Sequence, residues 1–327
     1  AFAFATNDEI NNMTFYSYEI INRSTYTLTN TYFSPWTDVD LGYAKDDFVG
    51  CDVSRGLGYG YNGSDTDGNG EPEAYGANPP AVGVDFFQGP YLDPDGIDNP
   101  KFNPATGENC DESINGVNFA NGIIDDERFG MRRFVYHDND QTDHGDPDKA
   151  SEYYNYLRGI WKNGDKMHFG GNAFPGSPGV TDVPCDFMFP YDSDPCRWGT
   201  GGLPTGFEGY WSEETGNNGD KNNPADRRFM QSAGPFTLKP GAVNYITFGV
   251  PWARSNSNDA WASVELLRRV DDKCQSMFDN CFDVLDGPDA PDLTFRELDR
   301  KLIVYISNSE NSNNYGESYT EVDPQIC

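Results

Sequence analysis

Turn-forming residues punctuate this chain so densely that long regular elements are confined to a few windows. Thirty-seven Asp, 35 Gly and 22 Pro stand among its 327 residues. Gly admits positive φ, Pro fixes φ and withholds a donor, and Asp bonds its own backbone two residues on. Runs such as DVDLGYAKDD, NGSDTDGNGEPE, YLDPDGIDNP and NGVNFANGIIDD make residues 36–125 largely turns. Short strands interrupt them near Gly83–Gln88 and Leu57–Tyr61. A chain of this kind buries itself as short strands joined by ordered loops.

What fills its core is unusual. Leu, Ile, Val and Phe amount to about 19% of residues beside a net charge of −30, a composition that alone points to disorder. The 22 Phe, 19 Tyr and 6 Trp reverse that reading, because each aromatic buries a large area. Two windows run long enough to specify an element outright. Residues 227–252 read as strands Arg228–Ser232, Phe236–Leu238 and Val243–Trp252, the turn Lys239-Pro240-Gly241 closing the last two into a hairpin. Residues 259–285 carry Val264, Leu267, Val270, Cys274 and Cys281 at helical spacing, with Asp259 to cap the start and Gly287-Pro288 to stop it. Weaker signals place two strands in 13–34 around Asn22-Arg23-Ser24, a strand at 129–136 and a helix at 149–162.

The fold class expected is mainly β: a loop-rich, jelly-roll-like β-sandwich with two helices over residues 1–287. Pro288–Pro291 then reads as a linker, and LTFRELDRKLIVYIS as the first strands of a second, Ig- or fibronectin-like sandwich over 288–327. Some 40 residues cannot complete such a domain of ~100, so another chain or further sequence would have to. The opening AFAFAT is an alternating edge strand, and the absence of an initiator Met suggests a piece of a longer, processed protein.

Charge excludes some partners. Fifty-three acidic residues against 23 basic repel phosphate, so nucleic acid is not expected as a partner, and no stretch approaches the ~18 apolar residues of a membrane helix. Seven cysteines without zinc spacing suggest an oxidising compartment. Cys185 and Cys196 flank a Pro-containing loop and form the expected local disulfide, whereas Cys274 and Cys281, seven apart in a helix, lie too far apart to bond.

Asp-rich loops are the main candidates for chemistry, and Ca2+ is the cofactor they suggest. Asp65, Asp67 and Asn69 occupy positions one, three and five of an EF-hand-like loop with Gly70 at six, Glu71 at seven and Glu73 at nine. Position twelve is Gly76, not the usual bidentate Glu. Asn121 and Asp125 resemble half of another calcium loop. Asp38, Asp40, Asp46 and Asp52 crowd one turn with Asp47 and repel unless a cation or an N–H cap satisfies them. No catalytic set is legible: His137, His144 and His168 are the only histidines, no nucleophile elbow is present, and the adjacent Glu213 and Glu214 point apart. His137, beside acids, reads as a surface residue. Trp198 and Trp211 lie in a loop region and form either a sugar-stacking platform or part of the core.

The blocks YFSPWTDVDLGYAKDDFVGCD, AVGVDFFQGP, EYYNYLRGIWK, FMFPYDSDP with WGTGG, DRRFMQSAGPFTLKPGAVNYITFGVPWA and DNCFDVLDGPDAPDLT span nearly the whole chain. In order and spacing they resemble large surface or secreted proteins of Bacteroidota exported by the type IX secretion system. The resemblance implies display at the outer cell surface and no particular activity. The expected function is a non-enzymatic, extracellular structural or adhesive module, self-associating or held by other surface proteins, with a filament subunit as one form of it. A carbohydrate-binding or polymer-degrading ectoprotein is the alternative.

Overall fold

The structure is a computed structural model and describes residues 1–5, 9–207, 209–215, 221–280, 282 and 288–320. Cys281, Gly287 and Cys327 lie outside them. Fourteen strands and two helices are present among the described residues. The strands are β1 (Phe2–Ala3), β2 (Met13–Ile21), β3 (Leu28–Phe33), β4 (Trp36–Asp38), β5 (Asp47–Asp52), β6 (Leu57–Asn62), β7 (Thr66–Asp67), β8 (Gly76–Ala77), β9 (Ala81–Gln88), β10 (Arg133–Asp138), β11 (Arg227–Leu238), β12 (Val243–Ala253), β13 (Asp292–Leu298) and β14 (Lys301–Ser307). The helices are α1 (Ala150–Leu157) and α2 (Ala260–Asp279). The chain is mainly β, as the sequence indicates, and falls into two compact units, 1–273 and 274–327.

The first unit is built on two antiparallel sheets. One runs β1-β2-β12-β9-β6-β5; the other runs β10-β11-β3, with β4 also paired to β11. Their facing side chains make one aromatic core: Val49, Val84, Phe86, Ile246 and Phe248 from the first sheet meet Phe134, Phe229 and Phe236 from the second. Phe33 of β3 sets its ring edge against Phe86 of β9 at 6.0 Å, joining the layers. The outer face of the six-stranded sheet lies beneath α2, where Trp261 packs edge-on to Tyr59 and Tyr61.

Two strand pairs expected to be local neighbours part company. β2 joins the six-stranded sheet and β3 the other, so the turn at Asn22–Ser24 crosses between layers. The Asn22 amide holds that crossing, donating to the carbonyls of Tyr26 and Leu238 at 2.8 Å each. The expected hairpin at 236–252 does not form either: β11 pairs with β3, β4 and β10, and β12 with β2 and β9. Lys239–Gly241 is the second crossing between the layers. β11 and β12 each offer two apolar faces, and two different sheets cover more of that surface than one hairpin would.

The second unit contains the hairpin β13–β14, paired from Asp292↔Ser307 to Leu298↔Lys301. Register places Leu293, Phe295, Leu302, Val304 and Ile306 on one face, and all five are exposed.

Candidate functional site

The acidic turns do two different things. Most of their carboxylates accept backbone N–H groups and so fasten one loop to another. Asp67 is buried and takes the amides of Tyr43 and Tyr75. Asp46 takes Gly68 N at 2.9 Å, and Asp125 takes Asp95 N and Gly96 N at 2.8 Å each. Asp65 accepts Ala260 N at 3.2 Å, so a residue of the EF-hand-like loop helps to cap α2 together with Asp259. Glu71 turns back on Asn69 N, Asn69 and Glu73 are exposed, and Asn121 caps Ile123 N at 2.8 Å. Asp52 is fully buried between Arg55 and Arg268. An acid crowded among turns can therefore be satisfied by amides, which lie in every turn and leave no trace in composition.

Asp38 and Asp40 behave differently. With Asp226 they place carboxylate oxygens within 4.8 Å of one another. Register assembles the three. Asp38 ends β4 opposite Arg228 of β11, and Asp226 immediately precedes that strand. Asp47 ties both sides together from behind: its Oδ2 accepts Leu41 N and its carbonyl accepts Ala225 N, each at 3.1 Å. Arg228 neutralises Asp38 at 2.9 Å but is shared with Asp146. Asp226 accepts Asn139 Nδ2 through Oδ2, while its Oδ1 is buried without a hydrogen bond. Partial burial and the charges of Asp38 and Asp226 push the Asp40 carboxyl above its usual range. Burial, reinforced by Asp46, Asp67 and Asp40, pushes Asp47 up to about 8. A hard cation among Asp38, Asp40 and Asp226 would relieve the repulsion within the triad. Nothing in the sequence pairs Asp226 with Asp40; only the β4–β11 register does.

A polar cleft of about 460 Å³ opens beside the triad, lined by Asp138, Asn139, Asp140, Asn172, Asp226 and Arg227 among others. Its wall is fixed by a buried ion network. Glu213, wholly buried, accepts Val49 N at 2.9 Å and grips Arg227 Nη2 at 2.8 Å, while Arg227 Nη1 holds Asp138.

Three expectations from sequence are corrected here. Cys196 bonds Cys110, not Cys185, and Cys185 is a buried thiol. The Cys185–Phe187 segment runs inward beside β10, Phe134 N bonding Asp186 O, so this cysteine faces the core and not the loop. Trp198 and Trp211 are 5% and 0% exposed, with Trp198 against Phe187 and Arg132 and Trp211 against Phe169 and Phe189. Burial of such large apolar surface outweighs display, so neither forms an open platform. His137 is buried as well.

Among the described residues no helix is long and apolar enough to cross a membrane. Comparison with known protein families, curated proteins and solved structures returns no match.

Proposed function

We propose that this chain is a calcium-braced structural or adhesive module displayed outside the cell. The observation that carries the reading is the Asp38–Asp40–Asp226 triad, with the bare, buried Oδ1 of Asp226 beside it. Oxygen-only ligands on turns are what calcium takes, commonly about six to eight of them, with backbone carbonyls and water making up the number. Bridging the β4–β5 loop to the start of β11, the ion would fasten that loop to the strand with which β4 pairs. The Cys110–Cys196 bond fits an oxidising compartment, and the bare apolar face of β13–β14 supports self-association or docking to other surface proteins.

Calorimetric titration of the chelator-treated protein with calcium tests the reading. Saturable binding that is lost in Asp226→Asn and Asp40→Asn is expected, with light scattering showing assembly that Phe295→Asp suppresses. No calcium binding in the intact chain would overturn the brace, and a strict monomer at high concentration would overturn self-association. The polar cleft favours a second reading, a glycan site beside the ion. Binding on a polysaccharide panel that disappears with Asn172→Ala would establish it.

A further inference from the structure

We propose that Asp85 and Asp271 hold a second divalent cation, fully enclosed between the six-stranded sheet and α2 and independent of the surface triad.

Asp85 sits in the middle of β9, opposite Leu57 of β6 and Gly249 of β12. Its side chain lies on the outer face of the sheet, the face on which a Cβ at Gly83 would meet Leu267 of α2 at 3.3 Å. Asp271 is one helical turn beyond Leu267 and on the same buried stripe. Both acids are closed to solvent, at 0% and 1% exposure. Neither oxygen of Asp85 and not Oδ1 of Asp271 has a hydrogen-bond partner.

The neighbouring guanidinium groups are already engaged. Arg55 holds Asp52 and Asp272, and Arg268 holds Asp52, Asp192 and Glu265. Four carboxylates, Asp52, Asp85, Asp271 and Asp272, thus share two cations, and neither cation makes an ion pair with Asp85 or Asp271 among the described residues. One divalent ion supplies the missing charge. Only oxygens are bare there, and they suit a hard ion. Gly56, held at φ +83°, passes beside the site: a Cβ on this residue would stand 3.4 Å from Asp85 Oδ1. Burial holds both carboxyls well above their ordinary range in the absence of such an ion.

Enclosure sets the test apart from that of the triad. The full chain carrying Asp226→Asn is unfolded in guanidinium, refolded with millimolar calcium, and dialysed against EDTA while folded. One metal ion per chain should survive dialysis and be released only on unfolding, as read by elemental analysis. Refolding in EDTA should give a protein of lower Tm, restored by refolding with calcium. Asp85→Asn with Asp271→Asn should lose the retained ion, while Asp272→Asn keeps it. Absence of a retained ion in the Asp226→Asn protein overturns the proposal, with no need for the core variants to fold. So does an Asp85→Asn, Asp271→Asn protein as stable as its parent at neutral pH with no metal in either, which would mark a protonated acid pair. Failure of the triad instead removes only the rapidly chelated calcium of the unsubstituted chain.

Discussion

His137 and His144 meet the same acidic strand end with opposite consequences for their protons. His137 is buried, and its Nε2 accepts Trp36 Nε1–H at 3.2 Å. That bond requires the neutral ring with the proton on Nδ1, which faces Asp146 at 3.2 Å. Burial pushes its pKa below 6.5, against the pull of the Asp138 carbonyl and Asp146. The folded state then binds fewer protons than the unfolded, so this contribution is present above pH 6.5 and is lost as pH falls through the depressed pKa. His144 lies 3.5 Å from Asp138, whose carboxylate raises its pKa, and its contribution is complete below 6.5 and lost as pH rises through the raised value. NMR titration should show the His137 midpoint below and the His144 midpoint above 6.5, with Asp138→Asn drawing His144 back. Glu213 sits on the same network, and burial raises its carboxyl while Arg227 only partly offsets the effect. Glu213→Gln leaves Arg227 with a diminished partner in a dry site and should cost about 3–5 kcal/mol in urea unfolding. Sequence shows three histidines among acids; it does not show which of them the aromatic core will cover.

At the scale of elements, the two long windows are legible because their periodicity is sustained, and α2 begins at Ala260, one residue after its expected start, and runs to Asp279, whereas the expected stop at Gly287 lies outside the described residues. β5 is not legible. DFVGCD looks like turn sequence, yet all six residues are buried, and Gly50 is there because a Cβ would stand 2.8 Å from the Tyr59 ring. Partner choice is equally hidden, since β11 and β12 are adjacent in sequence but pair in different sheets, and only three-dimensional packing decides this. The disulfide belongs to the same class. Cys110–Cys196 spans 86 residues of loop-rich chain, where no spacing rule operates. Closing so long a loop in the unfolded state is worth about 4 kcal/mol. Cys110→Ser should lower stability by about that amount, and non-reducing peptide maps should join 110 to 196. Native Cys185 and Cys51 should resist thiol reagents, because burial raises both thiols far above the reactive range.

At the scale of the whole molecule, the charge of −30 acts on every contact at once. A compact state at that charge repels itself, and salt relieves the repulsion over a Debye length of about 10 Å at 0.1 M. The amide-capped carboxylate of Asp67 feels only that general term, because Tyr43 N and Tyr75 N already fill both of its oxygens. The Asp38–Asp40–Asp226 cluster has an unfilled oxygen and should respond to the ion's identity. Two effects with different selectivity can therefore be separated in one experiment. Tm should rise with NaCl, and rise further with CaCl2 at matched ionic strength. Asp226→Asn should erase the calcium excess and leave the NaCl slope nearly unchanged. Equal slopes for the two salts in the unsubstituted protein would mean that screening alone stabilises the fold. A calcium excess that survived Asp226→Asn would move the specific site away from the triad and into the interior, where ion release is tied to unfolding and exchange is slow.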